Sequence, residues 1–330
     1  MTKEVKKVAV TGGGGQIGYS LIFRLAAGEL LGPDQPIELS IHDIPQNLEG
    51  VVKGLVMELE DGCYPLLKKV TTSFNLETVF EGVDIALLVG AKPRGPGMER
   101  NDLLKDNGEF FQKQGKSLNC VAKKNALVFV VGNPCNTNCL IALSNAPNLR
   151  KENFHAMTRL DQNRSVFQLA IKAGVPVTEV DNVAVWGNHS PTLVPDFLNA
   201  KISEKPLLKS LSDRQWLEGE FFKVVQQRGA QVIKLRGKSS AASATQAILD
   251  GVKSILSPTD KGLFYSSGVI SNHNPYNIQE GLIFSFPIRT KKDLSWEIVP
   301  DLQWDDFLEE KIRLSEKELI AEKAAVAHLL

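Results

Sequence analysis

A glycine-rich segment near the start of the chain is the strongest indication of its fold: Val8-Ala9-Val10-Thr11-Gly12-Gly13-Gly14-Gly15-Gln16-Ile17-Gly18. An apolar strand pattern over 5–10 precedes the glycines, and a helical pattern over 19–27 follows them. This context favours binding of a dinucleotide, because glycines let the backbone approach a pyrophosphate and a helix N-terminus offers it N–H groups. The spacing fits Gly-x-Gly-x-x-Gly from Gly13 and Gly-x-x-Gly-x-x-Gly from Gly12, so the register stays open.

An acidic residue, Asp43, ends the next strand pattern over 37–42. A carboxylate at this position accepts hydrogen bonds from the adenosine ribose and repels a 2′-phosphate, which favours NAD over NADP. Further apolar runs over 83–90 and 126–132 alternate with helical patterns. Such alternation predicts an α/β fold with a doubly wound parallel sheet of the Rossmann type.

The pattern changes near residue 156. Helical patterns cover 163–173, 212–235, 239–255 and 305–328, and strand patterns cover 182–186, 262–270, 282–288 and 294–299. In the long helix over 212–235, Gly229 is a candidate kink. We therefore predict an NAD-binding domain over 1–155 and an α+β substrate domain, which also carries the catalytic residues, over 156–330.

Composition excludes several classes of partner. The chain has 330 residues, with 38 Lys and Arg against 38 Asp and Glu, so its formal net charge is zero. A balanced charge argues against nucleic acid as a partner. No apolar run suits a membrane span or a signal peptide, so the expected location is cytoplasmic. The four cysteines lack zinc-ligand spacing, which predicts free, buried thiols and no metal.

Two separate segments predict an acid–base site. Asp161 and Arg164 share one face of a predicted helix, and His189 follows the apolar run over 183–186. Each residue taken alone is also consistent with an ordinary surface or core position. If folding brings His189 beside Asp161, a carboxylate orients an imidazole and a guanidinium stands next to them to bind an anion.

Five segments in order resemble the lactate/malate dehydrogenase superfamily, in particular its cytosolic-like malate dehydrogenases: 90–100, 131–138, 157–164, 185–190 and 239–244. The resemblance extends over nearly the whole chain. It implies a homodimeric oxidoreductase of the tricarboxylic acid cycle, with NAD as cofactor and a small dicarboxylic 2-hydroxy or 2-oxo acid as substrate. The implied reaction is the reversible oxidation of L-malate to oxaloacetate by hydride transfer, assisted by a His–Asp pair.

The resemblance also implies residue roles. His189 would exchange the substrate proton, with Asp161 as its orienting partner. The substrate would be bound by Arg94 in a mobile lid, Arg100, Asn133 and Arg164, beside a pocket wall that includes Ser239 and Ser240. The cofactor would be bound by Gly12, Gly13, Gly14, Gly15, Gln16, Ile17, Gly18, Asp43, Asn107, Gln114, Val131, Gly132 and Asn133.

Three departures from the family pattern are visible. Gly13 and Gly14 replace common alanines, which should loosen the turn. Gly95 follows Arg94, where a second basic residue is frequent, and Cys135 stands where Ala is common.

Two alternative functions stay open. One is a lactate or other 2-hydroxyacid dehydrogenase, although lactate enzymes carry Gln where this chain has Arg94. The other is a non-catalytic NAD-binding scaffold.

Overall fold

The structure, a computed structural model, describes residues 3–92 and 100–330, and for 100–103, 105 and 106 it describes the backbone alone. The chain forms two compact units. The first comprises Met1–His155 together with Ala324–Leu330, and the second comprises Ala156–Lys323.

The first unit alternates strands and helices. Its strands are β1 (Lys6–Thr11), β2 (Ile37–His42), β3 (Leu67–Ser73), β4 (Ile85–Leu88) and β5 (Leu127–Val130), and β6 (Phe154–Ala156) runs into the second unit. Its helices are α1 (Gln16–Ala26), α2 (Pro45–Glu49), α3 (Val51–Asp61), α4 (Leu76–Phe80), α5 (Arg100–Val121) and α6 (Cys135–Ser144).

The strand order in this unit is β3-β2-β1-β4-β5-β6, and the pairs from β3 to β5 are parallel. This confirms the predicted Rossmann-type sheet. The order reverses between β1 and β4, and strands that diverge at such a point leave a crevice at their carboxyl ends. Gly12 follows β1 at this edge, and the backbone of Gly90, just beyond β4, lies against it.

The last residues of the chain, Ala324–Leu330, pack on the first unit, although they were predicted to belong to the substrate domain. The carbonyl oxygen of Leu329 accepts hydrogen bonds from Gln112 Nε2 at 3.1 Å and from Asn145 Nδ2 at 2.7 Å. A Cβ added to Gly108 would come within 2.4 Å of the Leu329 side chain. These contacts pin the terminus between α5 and α6.

The second unit mixes helices with antiparallel strands. Its helices are α7 (Arg159–Ala173), α8 (Arg214–Trp216), α9 (Phe222–Arg236), α10 (Ala242–Leu256) and α11 (Asp306–Ala325). Its strands are β7 (Val180–Asp181), β8 (Val185–Trp186), β9 (Val194–Pro195), β10 (Lys201–Ile202), β11 (Lys205–Pro206), β12 (Tyr265–Ile270), β13 (Ile283–Thr290) and β14 (Trp296–Ile298).

Antiparallel pairs join β12 to β13 and β13 to β14, while β8 pairs with β9 and β10 pairs with both β7 and β11. The predicted α+β character of this half is confirmed. The predicted helix over 212–235 contains a π-helical segment, Leu217–Phe221, between α8 and α9. The irregular part of this helical segment is therefore Leu217–Phe221, whereas Gly229, the candidate kink, lies within the regular helix α9.

In the described part of the chain, no helix combines the length and hydrophobicity that crossing a membrane requires. The same residues contain no group of three His, Cys, Asp or Glu side chains that would hold a metal ion. The structure describes all four cysteines, and none of them forms a disulfide bond. Cys135 and Cys139 are buried on α6, but Cys63 and Cys120 are exposed, so burial of all four was a wrong expectation.

Candidate active site

The glycine-rich turn makes a close backbone approach that only glycine permits. Gly12 has φ +71°, and a Cβ on it would lie 2.6 Å from the Cα of Gly90. The N–H groups of Gly12 and Gly13 both donate to the carbonyl oxygen of His42, at 2.9 and 3.2 Å. This pairing holds the turn against the end of β2, beside Asp43.

Gly18 packs against both glycines at which the two possible patterns begin. A Cβ on Gly18 would lie 2.3 Å from the carbonyl oxygen of Gly12 and 2.7 Å from that of Gly13, so the first turn of α1 packs directly on the glycine turn. Gly15 donates its N–H to the Gly12 oxygen at 3.1 Å. The positive φ of Gly12 and its close approach to Gly90 favour the pattern that begins at Gly12.

Gly13 and Gly14 serve a different purpose. A Cβ on Gly13 would lie 2.2 Å from Ile41 Cγ2, and one on Gly14 would lie 2.6 Å from Val51 Cγ1. The two glycines thus accommodate neighbouring apolar side chains, rather than only loosening the turn as expected.

The start of α1 suits a pyrophosphate. Gly15 is the residue before the helix and has no side chain to cap the helix N–H groups, and both Gly15 and Gln16 are exposed. Ile17, in the same first turn, is partly buried. An uncapped N-terminus with its positive dipole end favours a phosphate anion. The cradle therefore fits a dinucleotide.

Asp43 is buried and anchors this loop with both carboxylate oxygens. Oδ2 accepts from Gly14 N at 2.7 Å, and Oδ1 accepts from Ile44 N at 2.8 Å and from Asn47 Nδ2 at 2.7 Å. The carboxylate therefore lies immediately beside the glycine turn, as the sequence interpretation requires. It also has a structural role that the sequence did not reveal.

Asn107 links the segments that follow β4 and β5. Its Oδ1 accepts from Lys92 N at 2.8 Å, and its Nδ2 donates to the carbonyl oxygen of Asn133 at 2.9 Å. Val131 and Gly132 are buried, and their N–H groups donate to the carbonyl oxygen of Leu88. Asn133 is exposed at this edge, which leaves its side chain accessible to a ligand.

Gln114 differs from the other predicted cofactor residues. Its side chain is wholly buried within α5, and neither of its polar atoms has a hydrogen-bond partner among the described residues. A predicted contact between Gln114 and the cofactor therefore receives no support from its position.

In the second unit, folding brings His189 and Asp161 together. His189 Nδ1 forms a short hydrogen bond with Asp161 Oδ2. Asp161 lies in the first turn of α7 and is fully buried, while the side chain of His189 is 16% exposed. Because a carboxylate accepts, the neutral imidazole carries its proton on Nδ1 and leaves Nε2 as a base.

Arg164 occupies the other oxygen of the same carboxylate. Its Nη1 lies 3.3 Å from Asp161 Oδ1, and its Nη2 donates to Ser240 Oγ at 3.4 Å. Burial lowers the pKa of the Arg164 guanidinium, Asp161 opposes that shift, and the positive charge of Arg228 adds to it. Two guanidinium groups that repel each other in this way favour an anionic ligand near them.

Arg228, on α9, was not predicted as a site residue. It is one of several basic residues on that helix, and no motif distinguishes it from them. Ser240 stands beside Arg164 as the predicted pocket wall requires. Ser239 instead offers its backbone oxygen to Arg236 Nη1 at 3.4 Å.

For two of the arginines that are predicted to bind the substrate, the structure does not describe the side chain. Arg94 lies outside the described residues, and Arg100 is described only as the first residue of α5. Their predicted roles stay predictions.

The strand before His189 is fixed by a buried aromatic cluster. The Trp186 ring contacts Tyr276 and Trp304 at centroid distances of 4.8 and 5.0 Å, and its Nε1 donates to Asp196 at 3.0 Å. Gly187 then turns the chain with φ +90°. This turn directs the next residues away from β8.

Comparison with known proteins identifies both domains of one family along the chain. Residues 6–155 match the lactate/malate dehydrogenase NAD binding domain, and residues 158–330 match the lactate/malate dehydrogenase alpha/beta C-terminal domain. The malate dehydrogenase of Protochlamydia amoebophila is 55% identical over 98% of both chains. The chloroplastic NADP malate dehydrogenase of Flaveria bidentis is 53% identical over 99% of this chain and 72% of its own length.

Solved structures of similar proteins have the same fold as this chain. The malate dehydrogenase of Naegleria fowleri is 40% identical, with TM-score 0.95 and full coverage of both chains. The lactate dehydrogenase of Trichomonas vaginalis, in complex with NADH and oxamate, is 36% identical, with TM-score 0.93 and 98% coverage of both chains.

Proposed function

Because this chain belongs to the lactate/malate dehydrogenase family, we propose that it interconverts L-malate and oxaloacetate with NAD as cofactor. Membership makes it an oxidoreductase with a nicotinamide cofactor and a small organic acid as substrate. The observation that carries the proposal is the position of Asp161, whose two oxygens contact His189 and Arg164. A proton-transfer group thus lies beside a site for a carboxylate.

The proposed chemistry assigns the proton to His189. Nε2 of the neutral imidazole accepts the hydroxyl proton of malate, and the imidazolium returns it when oxaloacetate is reduced. Asp161 holds the Nδ1 proton in place and stabilises the imidazolium by its charge. When bound, the nicotinamide supplies or accepts the hydride. The glycine turn, the start of α1 and Asp43 are the residues that would hold the dinucleotide.

A dicarboxylate is the substrate that these cations suit. Arg164 would pair with one carboxylate in bidentate fashion, with Arg228 adding positive potential. Arg94 would pair with the second carboxylate, and Arg100 would polarise the carbonyl. A buried arginine without its anion is costly, so this arrangement discriminates against monocarboxylates more strongly than shape alone.

The preference for NAD over NADP rests on Asp43. Its buried carboxylate would repel a 2′-phosphate, and its two oxygens are already fixed by backbone and side-chain donors. Since the relatives include both NADP-dependent chloroplast enzymes and a protein that binds NADH, the preference is part of our proposal.

We also propose a homodimer in the cytoplasm that takes part in the tricarboxylic acid cycle. Two neighbouring apolar side chains support the oligomeric part of this proposal. On α7, Phe167 and Ile171 lie one turn apart and are 49% and 63% exposed. A contiguous exposed apolar surface favours association. Light scattering during gel filtration would report a monomer mass if this part is wrong.

Steady-state oxidation of NADH tests the function. We expect kcat/KM for oxaloacetate to exceed that for pyruvate by at least about a hundredfold, since one substrate leaves a cation unpaired. We expect NADPH to be the poorer cofactor in the same assay. A preference for pyruvate would instead support a lactate dehydrogenase, which the Trichomonas vaginalis similarity keeps as the second candidate. NADH binding without turnover of any 2-oxo acid would support a scaffold.

A further inference from the structure

The loop that carries His189, residues 187–192, is hydrogen-bonded to the C-terminal helix α11 on both sides of the histidine. Glu318, on α11, accepts three hydrogen bonds at a single oxygen, Oε2. The donors are Asn188 Nδ2 at 2.8 Å, Thr192 Oγ1 at 2.7 Å and, at a shorter distance, Ser190 Oγ. The residues immediately before and after His189 therefore share one carboxylate.

Two further residues of α11 complete the attachment. Ser315 Oγ accepts from Asn188 N at 2.9 Å and lies 2.9 Å from Thr192 Oγ1. Glu322, which is buried, accepts from Asn188 Nδ2 at 2.9 Å. Positions 315, 318 and 322 lie on one face of a helix. A single helix face thus holds the whole loop.

The helix also packs on the loop without a gap. Gly187 has φ +90°, and a Cβ there would lie 2.2 Å from Ser315 Oγ. The loop backbone at Gly187 is fixed on its other side by a pair of hydrogen bonds with Ser285, at 2.9 and 3.2 Å. Movement of this part of the loop is therefore restricted from two directions.

We propose that Glu318 is a positioning residue for His189, because its carboxylate binds the side chains on both sides of the histidine and so holds the segment from which the imidazole reaches Asp161. The role rests on the function proposed above. Hydrogen bonds to an ionised acceptor are stronger than those between neutral groups, so a charged oxygen with three donors holds the loop more firmly than an amide would. The imidazole needs such support because a small displacement of a catalytic group lowers the rate steeply.

The test compares Glu318→Gln with Glu310→Gln. The first variant keeps the side-chain shape but loses the charge and turns one acceptor into a donor. The second makes the same change at an exposed position of the same helix, where Glu310 pairs only with Lys311 among the described contacts. It serves as the matched control.

For Glu318→Gln we expect kcat for oxaloacetate reduction to fall by at least about tenfold. We expect KM for oxaloacetate and Kd for NADH to stay within about twofold, because Arg164 and the dinucleotide turn are not altered. Glu310→Gln should match the parent in all three constants. An equal rise in KM and fall in kcat, or no change in kcat, would overturn the proposal.

A second readout does not depend on turnover. The chain has 5 His, so the imidazole ¹H–¹⁵N resonances are resolvable by NMR, and their assignment uses His189→Gln. Glu318→Gln should shift or broaden the His189 resonances in the protein without substrate, whereas Glu310→Gln should leave them in place. Unchanged His189 resonances in Glu318→Gln would refute the positioning role even if the parent protein proved inactive on oxaloacetate.

If Glu318→Gln fails to fold, Thr192→Val removes one of the three donors while conserving side-chain volume. We expect a smaller fall in kcat with the same shift of the His189 resonances. An unaltered kcat together with unaltered resonances would again count against the proposal. Inactivity of the parent protein, by contrast, contradicts the proposed function alone.

Discussion

His189 Nδ1 is hydrogen-bonded to Asp161 Oδ2, although 28 positions separate the two residues in the chain. Asp161 belongs to the first turn of α7, and His189 follows the short strand β8. The remaining oxygen of Asp161 contacts Arg164. The buried carboxylate of Asp161 therefore favours the His189 tautomer that is protonated on Nδ1, and it also holds the guanidinium of Arg164 in position.

Asp161→Asn should lower kcat for oxaloacetate reduction by about 10² to 10⁴-fold. The amide presents a donor to Nδ1, which favours the tautomer whose Nε2 is already protonated and unable to act as a base. NADH affinity should not change. Stopped-flow and fluorescence titration measure the two quantities, with exposed Asp61→Asn as control. Full activity in Asp161→Asn would remove this residue from the mechanism.

Arg94→Gln should reduce turnover of oxaloacetate far more than turnover of pyruvate, because only oxaloacetate has a second carboxylate for Arg94 to bind. The expected ratio of the two losses is at least about tenfold. Parallel steady-state kinetics with both acids provide the measurement. Equal losses on the two substrates would contradict the role of Arg94 in specificity.

Gly18→Ala should destabilise the first unit and weaken NADH binding, since the new Cβ would lie 2.3 Å from the Gly12 carbonyl oxygen. Gly54→Ala is the matched control, because its Cβ meets nothing within 4 Å and it lies inside α3. The control should raise stability by up to about 1 kcal/mol through helix propensity. Thermal unfolding and NADH titration distinguish the two variants, and similar behaviour of both would argue against close packing at Gly18.

Asp43→Ser should lower the ratio of kcat/KM with NADH to kcat/KM with NADPH by at least about tenfold. The reason is that it removes the negative charge expected to repel the 2′-phosphate. The variant also frees the Gly14 N–H, so loop geometry needs its own control. Asn47→Ala removes a donor from Asp43 Oδ1 without changing the charge. A comparable change in preference for Asn47→Ala would assign the effect to the loop rather than to the carboxylate.

His155 should make stability depend on pH. Burial lowers the pKa of its imidazole to about 3, whereas the unfolded chain takes up the proton near pH 6.5. The unfolded state therefore binds more protons between these values, and the free energy of unfolding falls with decreasing pH by up to about 1.4 kcal/mol per unit. Denaturant unfolding at several pH values from 7 to 5 measures this slope.

In His155→Gln, the free energy of unfolding should depend less on pH between 7 and 5. In His273→Gln, which changes an exposed histidine, the pH dependence should equal that of the parent protein. His273 has 93% of its side chain exposed, so its substitution is a matched control for the loss of an imidazole at the surface. If the slope persisted in His155→Gln, other groups would account for the acid sensitivity.

The sequence predicted the elements whose apolar pattern reflects burial on both faces. β4 and β5 are fully buried, and both were predicted from near-continuous apolar runs. β3 escaped prediction because Lys68, Lys69 and their neighbours make it polar. It lies at the edge of the sheet and is partly exposed, where apolar residues are not required.

Long-range packing decided the details that spacing left open. The preference for the Gly12 register depends on the positive φ of Gly12 and on its close approach to Gly90, which two equivalent glycine patterns do not reveal. Likewise, the terminal residues around Leu329 joined the first unit because two side-chain amides bind one carbonyl oxygen. Neither contact has a periodic pattern in the sequence.

Local patterns were sufficient to predict the α/β architecture of the first half, the glycine-rich turn and the residue types of the acid–base site, because these depend on short-range periodicity and on the chemistry of single side chains. Contacts between distant segments were needed to show that Asp161 binds both His189 and Arg164, and that Glu318 on the last helix binds the residues around His189. Such hydrogen bonds form only after packing has brought the donor and acceptor atoms within about 3 Å of one another.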